Sequence, residues 1–158
     1  MDLLPFFQWC EGSLIGQGIR SSQWLFPVIE SVHLLGLAMI GGAVLLVDLR
    51  LIGLGLTRQP VAQVARDARP WLIGSLLVML ITGILLFLSE SVKCYYSPAF
   101  WFKMGSLSLA MLFTFTVRRM VTMADEDRVG PIRGRLVAMV SLMLWAGVGA
   151  GGRWIGFS

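Results

Sequence analysis

Residues 24–50, WLFPVIESVHLLGLAMIGGAVLLVDLR, decide the fold. From Trp24 to Val47 the run is apolar except for Glu30, Ser31 and His33. A bilayer hydrocarbon core of about 30 Å needs about 20 helical residues, and this stretch meets that length. It shows no period-two alternation, so a helix rather than a barrel strand must satisfy its backbone in lipid.

Three further apolar stretches of similar length follow, at about 71–88, 100–117 and 136–152. The 158 residues are 56% hydrophobic and only 14% charged, with a mean hydropathy of +0.77. A soluble domain needs far more charge to cover its surface. The expected fold is therefore all-α: an integral membrane four-helix bundle in the lipid bilayer, with an N-terminal interfacial amphipathic helix. Residues 1–23 form the N-terminal segment. The transmembrane domain takes 24–158, with spans at about 24–49, 71–89, 99–119 and 135–155. Leu3 to about Ile19 places Phe6, Phe7, Trp9, Leu14 and Ile15 among Gln, Glu and Gly, the mix of an interfacial helix. MDLLPFFQWC lacks the basic region and cleavage site of a secretory signal.

The net charge of +4 is a matter of topology. Arg50, Arg58, Arg66 and Arg69 lie between spans one and two, and Arg118, Arg119, Arg128, Arg133 and Arg135 between spans three and four. The other side holds Arg20, Lys93, Lys103 and Arg153. This distribution predicts cytoplasmic long loops and periplasmic termini in a bacterial inner membrane. It requires no nucleic-acid partner. ADEDRVGP, 124–131, mixes both signs as a solvated turn does. Tyr95, Tyr96 and Trp101 suit an aromatic belt. Cys10 and Cys94 share the outer side, where an oxidising compartment favours a disulfide; two unconnected thiols are the other reading.

Glu30 and Asp48 are 18 positions apart on one helix face, roughly 27 Å along the axis, so they mark opposite ends of the slab. His33, the only histidine, lies one turn below Glu30. Gly36, Gly41 and Gly42 thin the helix beneath it for a close neighbour or a flat ligand. By depth, Glu30, His33, Lys103 and Arg153 share the outer half of the bilayer, where ionisable groups must pair or face a polar cavity. The expectation is an interior site with Glu30 near Lys103 or Arg153. A second, inner set holds Asp48, Arg50, Arg69 and Arg118.

Four readings of the outer set stand side by side. In the first, His33 ligates haem b iron while Lys103 and Arg153 pair with the propionates, in electron transport or another redox role. Met39, Met79, Met104 or a symmetry mate's His33 are candidates for a second axial ligand, and Glu30 could orient His33. In the second, the four residues form a clamp that locks a non-catalytic membrane subunit. In the third, nine methionines and two cysteines handle copper. In the fourth, Glu30 and His33 pass protons to a quinone. Gly147 and Gly151, at small-xxx-small spacing, offer a face for a homo-oligomer. There is no phosphate loop, HExxH, CxxC or elbow serine.

ESVHLLGLAMIGGAVLLVDLRLIGLG, ARPW, SPAFWFKMGSL and SLMLWAGVGAGGRWI together resemble a bacterial family of small four-span membrane proteins of unknown function. The resemblance covers the chain from about Gln23 onward. A first-span histidine, an arginine at that span's far end and an aromatic-x-Lys opening span three are distantly similar to two other groups. These are the copper-resistance D-type membrane proteins and the four-helix haem-binding protoporphyrinogen oxidases. That likeness implies that His33 is a haem ligand and matches Lys103 and Arg50 to the family lysine and arginine. The chain departs from both groups in having one histidine.

Overall fold

The computed structural model describes residues 3–124 and 130–156. Arg128 and most of the mixed-charge turn lie outside the described residues, which are mostly helical and contain no strand. Two short helices, α1 (Leu4–Glu11) and α2 (Leu14–Ser21), precede α3 (Leu25–Ile52) and α4 (Val61–Ser89). A short α5 (Ser91–Tyr96) leads into α6 (Pro98–Met123) and α7 (Pro131–Ile155). The four long helices α3, α4, α6 and α7 are each long and apolar enough to cross a bilayer, and the protein is a multi-pass membrane protein.

Local chemistry sets the helix ends. Pro98 and Pro131 stand in the first turns of α6 and α7, where an amide donor is unneeded. Gly53 ends α3 in the left-handed region at φ 91°, donating to the Leu49 and Arg50 carbonyls. The four helices follow one another around the bundle as α4, α3, α7, α6, with α3 and α7 in the middle. Ile40, Val44 and Val47 of α3 meet Leu72, Leu76 and Met79 of α4, Ala110 of α6, and Trp145 and Val148 of α7. Their large apolar neighbours, such as Leu35, Leu46, Leu77, Ile81 and Leu112, point outward to lipid. The α4 and α6 helices close on each other through stacked Phe87 and Phe100 at the terminal end and through residues 119–123 at the arginine-rich end. Between these points that edge is not closely packed.

The second span begins ten residues earlier than hydropathy predicts, at Val61, and Pro70 lies inside the helix rather than in its first turn. Val61, Val64, Ala68 and Leu72 are buried at helical spacing, so packing carries the helix about 15 Å past the apolar boundary. Pro70 is exposed, which lets water or headgroups serve the carbonyl its ring leaves unpaired. Within α6, Thr114–Arg118 form one wide π turn that buries both Thr114 and Arg118.

The N-terminal segment is two helices and not one. The break falls at Gly12-Ser13, where the Ser13 hydroxyl accepts the Gly16 amide and starts α2. Glu11 organises the pair: its carboxylate binds Arg20, and its Oε2 accepts the Val92 amide of α5 at 2.7 Å. Phe7 sits among Phe87, Tyr95 and Trp101, with ring centroids 5.2–6.2 Å away. The hairpin thus docks on α5 and the adjoining end of α4, while Phe6, Trp9, Leu14 and Ile15 stay exposed.

Candidate functional site

His33 is buried at the α3–α4 contact, 9% exposed, with Nδ1 2.8 Å from the Thr82 hydroxyl of α4. That hydroxyl has one hydrogen, and the Val78 carbonyl is within 2.6 Å to accept it. With that hydrogen on Val78 the hydroxyl accepts from the ring and Nδ1 carries the proton; with it turned to the ring, Nδ1 is the acceptor. The Met79 backbone, one turn before Gly83 on α4, also hydrogen-bonds the ring. Gly83 makes room for the ring, since a Cβ there would lie 3.3 Å from His33 Cε1.

Lys103, half-buried on α6, lies close enough to His33 to act on it electrostatically. It packs on Gly151 and Gly152 of α7: a Cβ on Gly151 would come within 3.1 Å of the lysine Cβ, and one on Gly152 within 3.6 Å of Nζ. Its ammonium has no ion pair among the described residues. Glu30 does not supply one. Contrary to the expected pairing with Lys103 or Arg153, Glu30 is exposed near the N-terminal end of α3, because its place on the helix turns it away from α4 and α7. Arg153 is also exposed, at the end of α7. The structure therefore brings His33 and Lys103 together and leaves Glu30 and Arg153 at the rim. Of the three candidate methionines, Met79 is buried against Gly36, one turn from His33, whereas Met39 and Met104 are largely exposed.

The inner set is built differently. Asp48 is fully buried, and its Oδ1 accepts from Arg118 Nε at 2.8 Å. Arg118 also donates from Nη2 to the Val44 carbonyl at 3.1 Å. The Ser141 hydroxyl of α7 faces the same carboxylate, yet it and Asp48 Oδ2 are buried without a hydrogen bond. Beside them Trp145 Nε1 donates to Thr114 at 3.1 Å. Arg50 Nε donates to the Gln59 carbonyl at 2.6 Å, which ties down the loop after α3. Arg69 is exposed and lines a cavity between α4 and α6.

Cys10 and Cys94 are buried free thiols on the packed pair α1 and α5. Burial first, then the Glu90 carboxylate, pushes the Cys94 thiol up from 9.0 to about 11. At pH 8 its thiolate fraction is then about 100-fold below that of an ordinary thiol, and maleimide labelling of Cys94 in a Cys10→Ser variant is expected to slow by that factor. Labelling at the rate of a free peptide thiol is the contrary result. The folded form holds this proton more tightly than the unfolded chain, so its stabilising effect is complete below about pH 9 and lost as pH rises through about 11.

Gly147 and Gly151 face Phe102, Lys103 and Ser106 of α6 within the same chain. Thr82 as the histidine's partner and Ser141 beside Asp48 were missed from sequence. A hydroxyl in an otherwise apolar span is the one signal that marks each. Among the described residues no three His, Cys, Asp or Glu side chains converge as a metal site. Compared with known protein families, residues 6–158 match a model described as a family of unknown function (DUF6644). No curated protein and no solved structure matches the chain.

Proposed function

Starting from the fact that the chain belongs to DUF6644, a family of unknown function, we propose that it is a haem b-binding membrane protein with a redox role. One observation carries this reading: a buried imidazole oriented by Thr82 through Nδ1, within electrostatic reach of a lysine that has no ion pair among the described residues. A metal-binding histidine is ordinarily oriented by a hydrogen bond at its other nitrogen. A metal held only by side chains needs several donors, and no three His, Cys, Asp or Glu converge among the described residues. Haem brings four nitrogens of its own and asks the protein for one, together with cations for its carboxylates. His33 would supply the ligand and Lys103 the nearer cation, with Arg153 at the rim; the unpacked α4–α6 edge would admit a flat ligand from the lipid. Haem would supply one-electron chemistry. By the arginine distribution the site faces the outer leaflet of a bacterial inner membrane with the termini in the periplasm, where a quinone or a periplasmic protein is the redox partner.

The His33–Thr82 bond favours a second reading, in which the imidazole only ties α3 to α4 in a non-catalytic subunit. An interhelical hydrogen bond in a membrane protein averages about 0.6 kcal/mol, so this role alone gives little reason to bury an imidazole and a lysine together. The test is an absorption spectrum of the detergent-purified protein, expressed with ample haem, oxidised and then reduced with dithionite. A Soret band is expected in the wild type, lost in His33→Ala and weakened in Lys103→Met, while both variants keep their helical circular dichroism. A colourless wild type leaves the packing role in possession of the site.

A further inference from the structure

At the arginine-rich end, on the opposite face of the slab from His33, α3, α4 and α6 enclose a cavity of about 180 Å³. Arg66 and Arg69 of α4 and Arg118 and Arg119 of α6 line it, over a floor that includes Leu72 and Phe115. Their charges are not equivalent. Arg118 is committed to Asp48 and to the Val44 carbonyl. Arg66, Arg69 and Arg119 form no ion pair with a described residue, and Asp67, on the same helix, is exposed and does not line the cavity. Three guanidinium groups therefore surround one opening without a counter-charge among the described residues.

We infer that this cavity is a binding site for a phosphate group, of the kind carried by an anionic phospholipid. The guanidinium fork matches phosphate oxygens two at a time, and several such forks from two helices can surround one tetrahedral anion. Basic pockets between transmembrane helices at a membrane face are suited to anionic headgroups. The apolar floor of Ala43, Val47, Leu72 and Phe115 runs toward the hydrocarbon, in line with the glycerol and acyl part of such a lipid. The Asp48–Arg118 pair serves as the fixed back wall: by satisfying Arg118 it keeps that residue in place without cancelling the other three. The inference is independent of the haem reading.

The full chain, purified in a zwitterionic detergent, is tested by native mass spectrometry and thermal unfolding with phosphatidylglycerol, phosphatidylcholine or inorganic phosphate. Phosphatidylglycerol is expected to stay bound and raise the unfolding temperature, and phosphatidylcholine to do neither. Arg66→Gln and Arg119→Gln, on different helices, each weaken retention about tenfold, the usual effect of one lost charge-assisted bond. Arg58→Gln, a basic residue outside the cavity, leaves it unchanged. Inorganic phosphate reproducing the shift in an arginine-dependent way makes a soluble phosphate compound the ligand; a shift with phosphatidylglycerol alone makes it the lipid. Equal retention by the wild type and both cavity variants, or equal retention of the two lipids, overturns the inference.

Discussion

Replacing Arg118 with methionine is expected to destabilise the folded bundle by about 3–5 kcal/mol, the usual cost of leaving one partner of a buried ion pair alone. Asp48 is fully buried and Arg118 nearly so, so whichever partner remains is left inside the bundle without its counter-charge. Asp48→Leu is expected to cost a similar amount by stranding the guanidinium. The pair itself is not an efficient source of stability: one Asp48 oxygen has no hydrogen bond, and the contact is a single bond from Nε rather than a two-pronged one. The double variant Asp48→Leu/Arg118→Met should therefore recover most of the loss, since apolar replacement of a buried pair is often neutral or better. Unfolding in mixed micelles with increasing dodecyl sulfate measures all four proteins. Single variants within about 0.5 kcal/mol of wild type would show that water reaches the pair.

The second large effect is steric. A Cβ on Gly16 would lie 2.3 Å from the Leu88 carbonyl oxygen and 3.1 Å from its carbon, and neither is a side chain that can turn aside. Gly16→Ala must push α2 off the end of α4. The Glu11 carboxylate is then drawn from the Val92 amide and Phe7 from its aromatic neighbours. Overpacking of this kind costs about 1–3 kcal/mol, enough to leave a peripheral hairpin open much of the time. Gly18, in the same helix, has nothing within 4 Å of its Cβ position, so Gly18→Ala is the matched control. Trypsin should cut after Arg20 far faster in Gly16→Ala than in wild type or Gly18→Ala. Equal cutting in all three would mean that α2 does not rest on Leu88.

The sequence made the four spans legible because lipid demands a long apolar run, and residues 24–47 could hardly be anything else. Its limit shows at α4. Residues 61–70 are too polar to register as membrane-spanning, yet a buried stripe at helical spacing keeps them in one helix with residues 71–89. Site residues divided along similar lines. Depth along a helix can be counted, so His33 and Lys103 were placed at one level and do come together. Direction around the bundle cannot be counted until the neighbours are known, which is why Glu30, one turn from His33, turned out to face away. Asp48 was known to need a partner in lipid, but several arginines were available at that depth. Only the π turn in α6 shows why Arg118 is the one that reaches it.

The Glu11 carboxylate has a consequence for the order of assembly. Its acceptor bond spans 81 positions of chain, and Gly16 and Phe7 rest on residues of α4 and α5 that are made much later. The hairpin of α1 and α2 therefore cannot find its native place until α4 has crossed the membrane and α5 has formed. In a ribosome-paced process it is synthesised early and docks late, waiting on the membrane surface with Phe6, Trp9 and Leu14 in the headgroups.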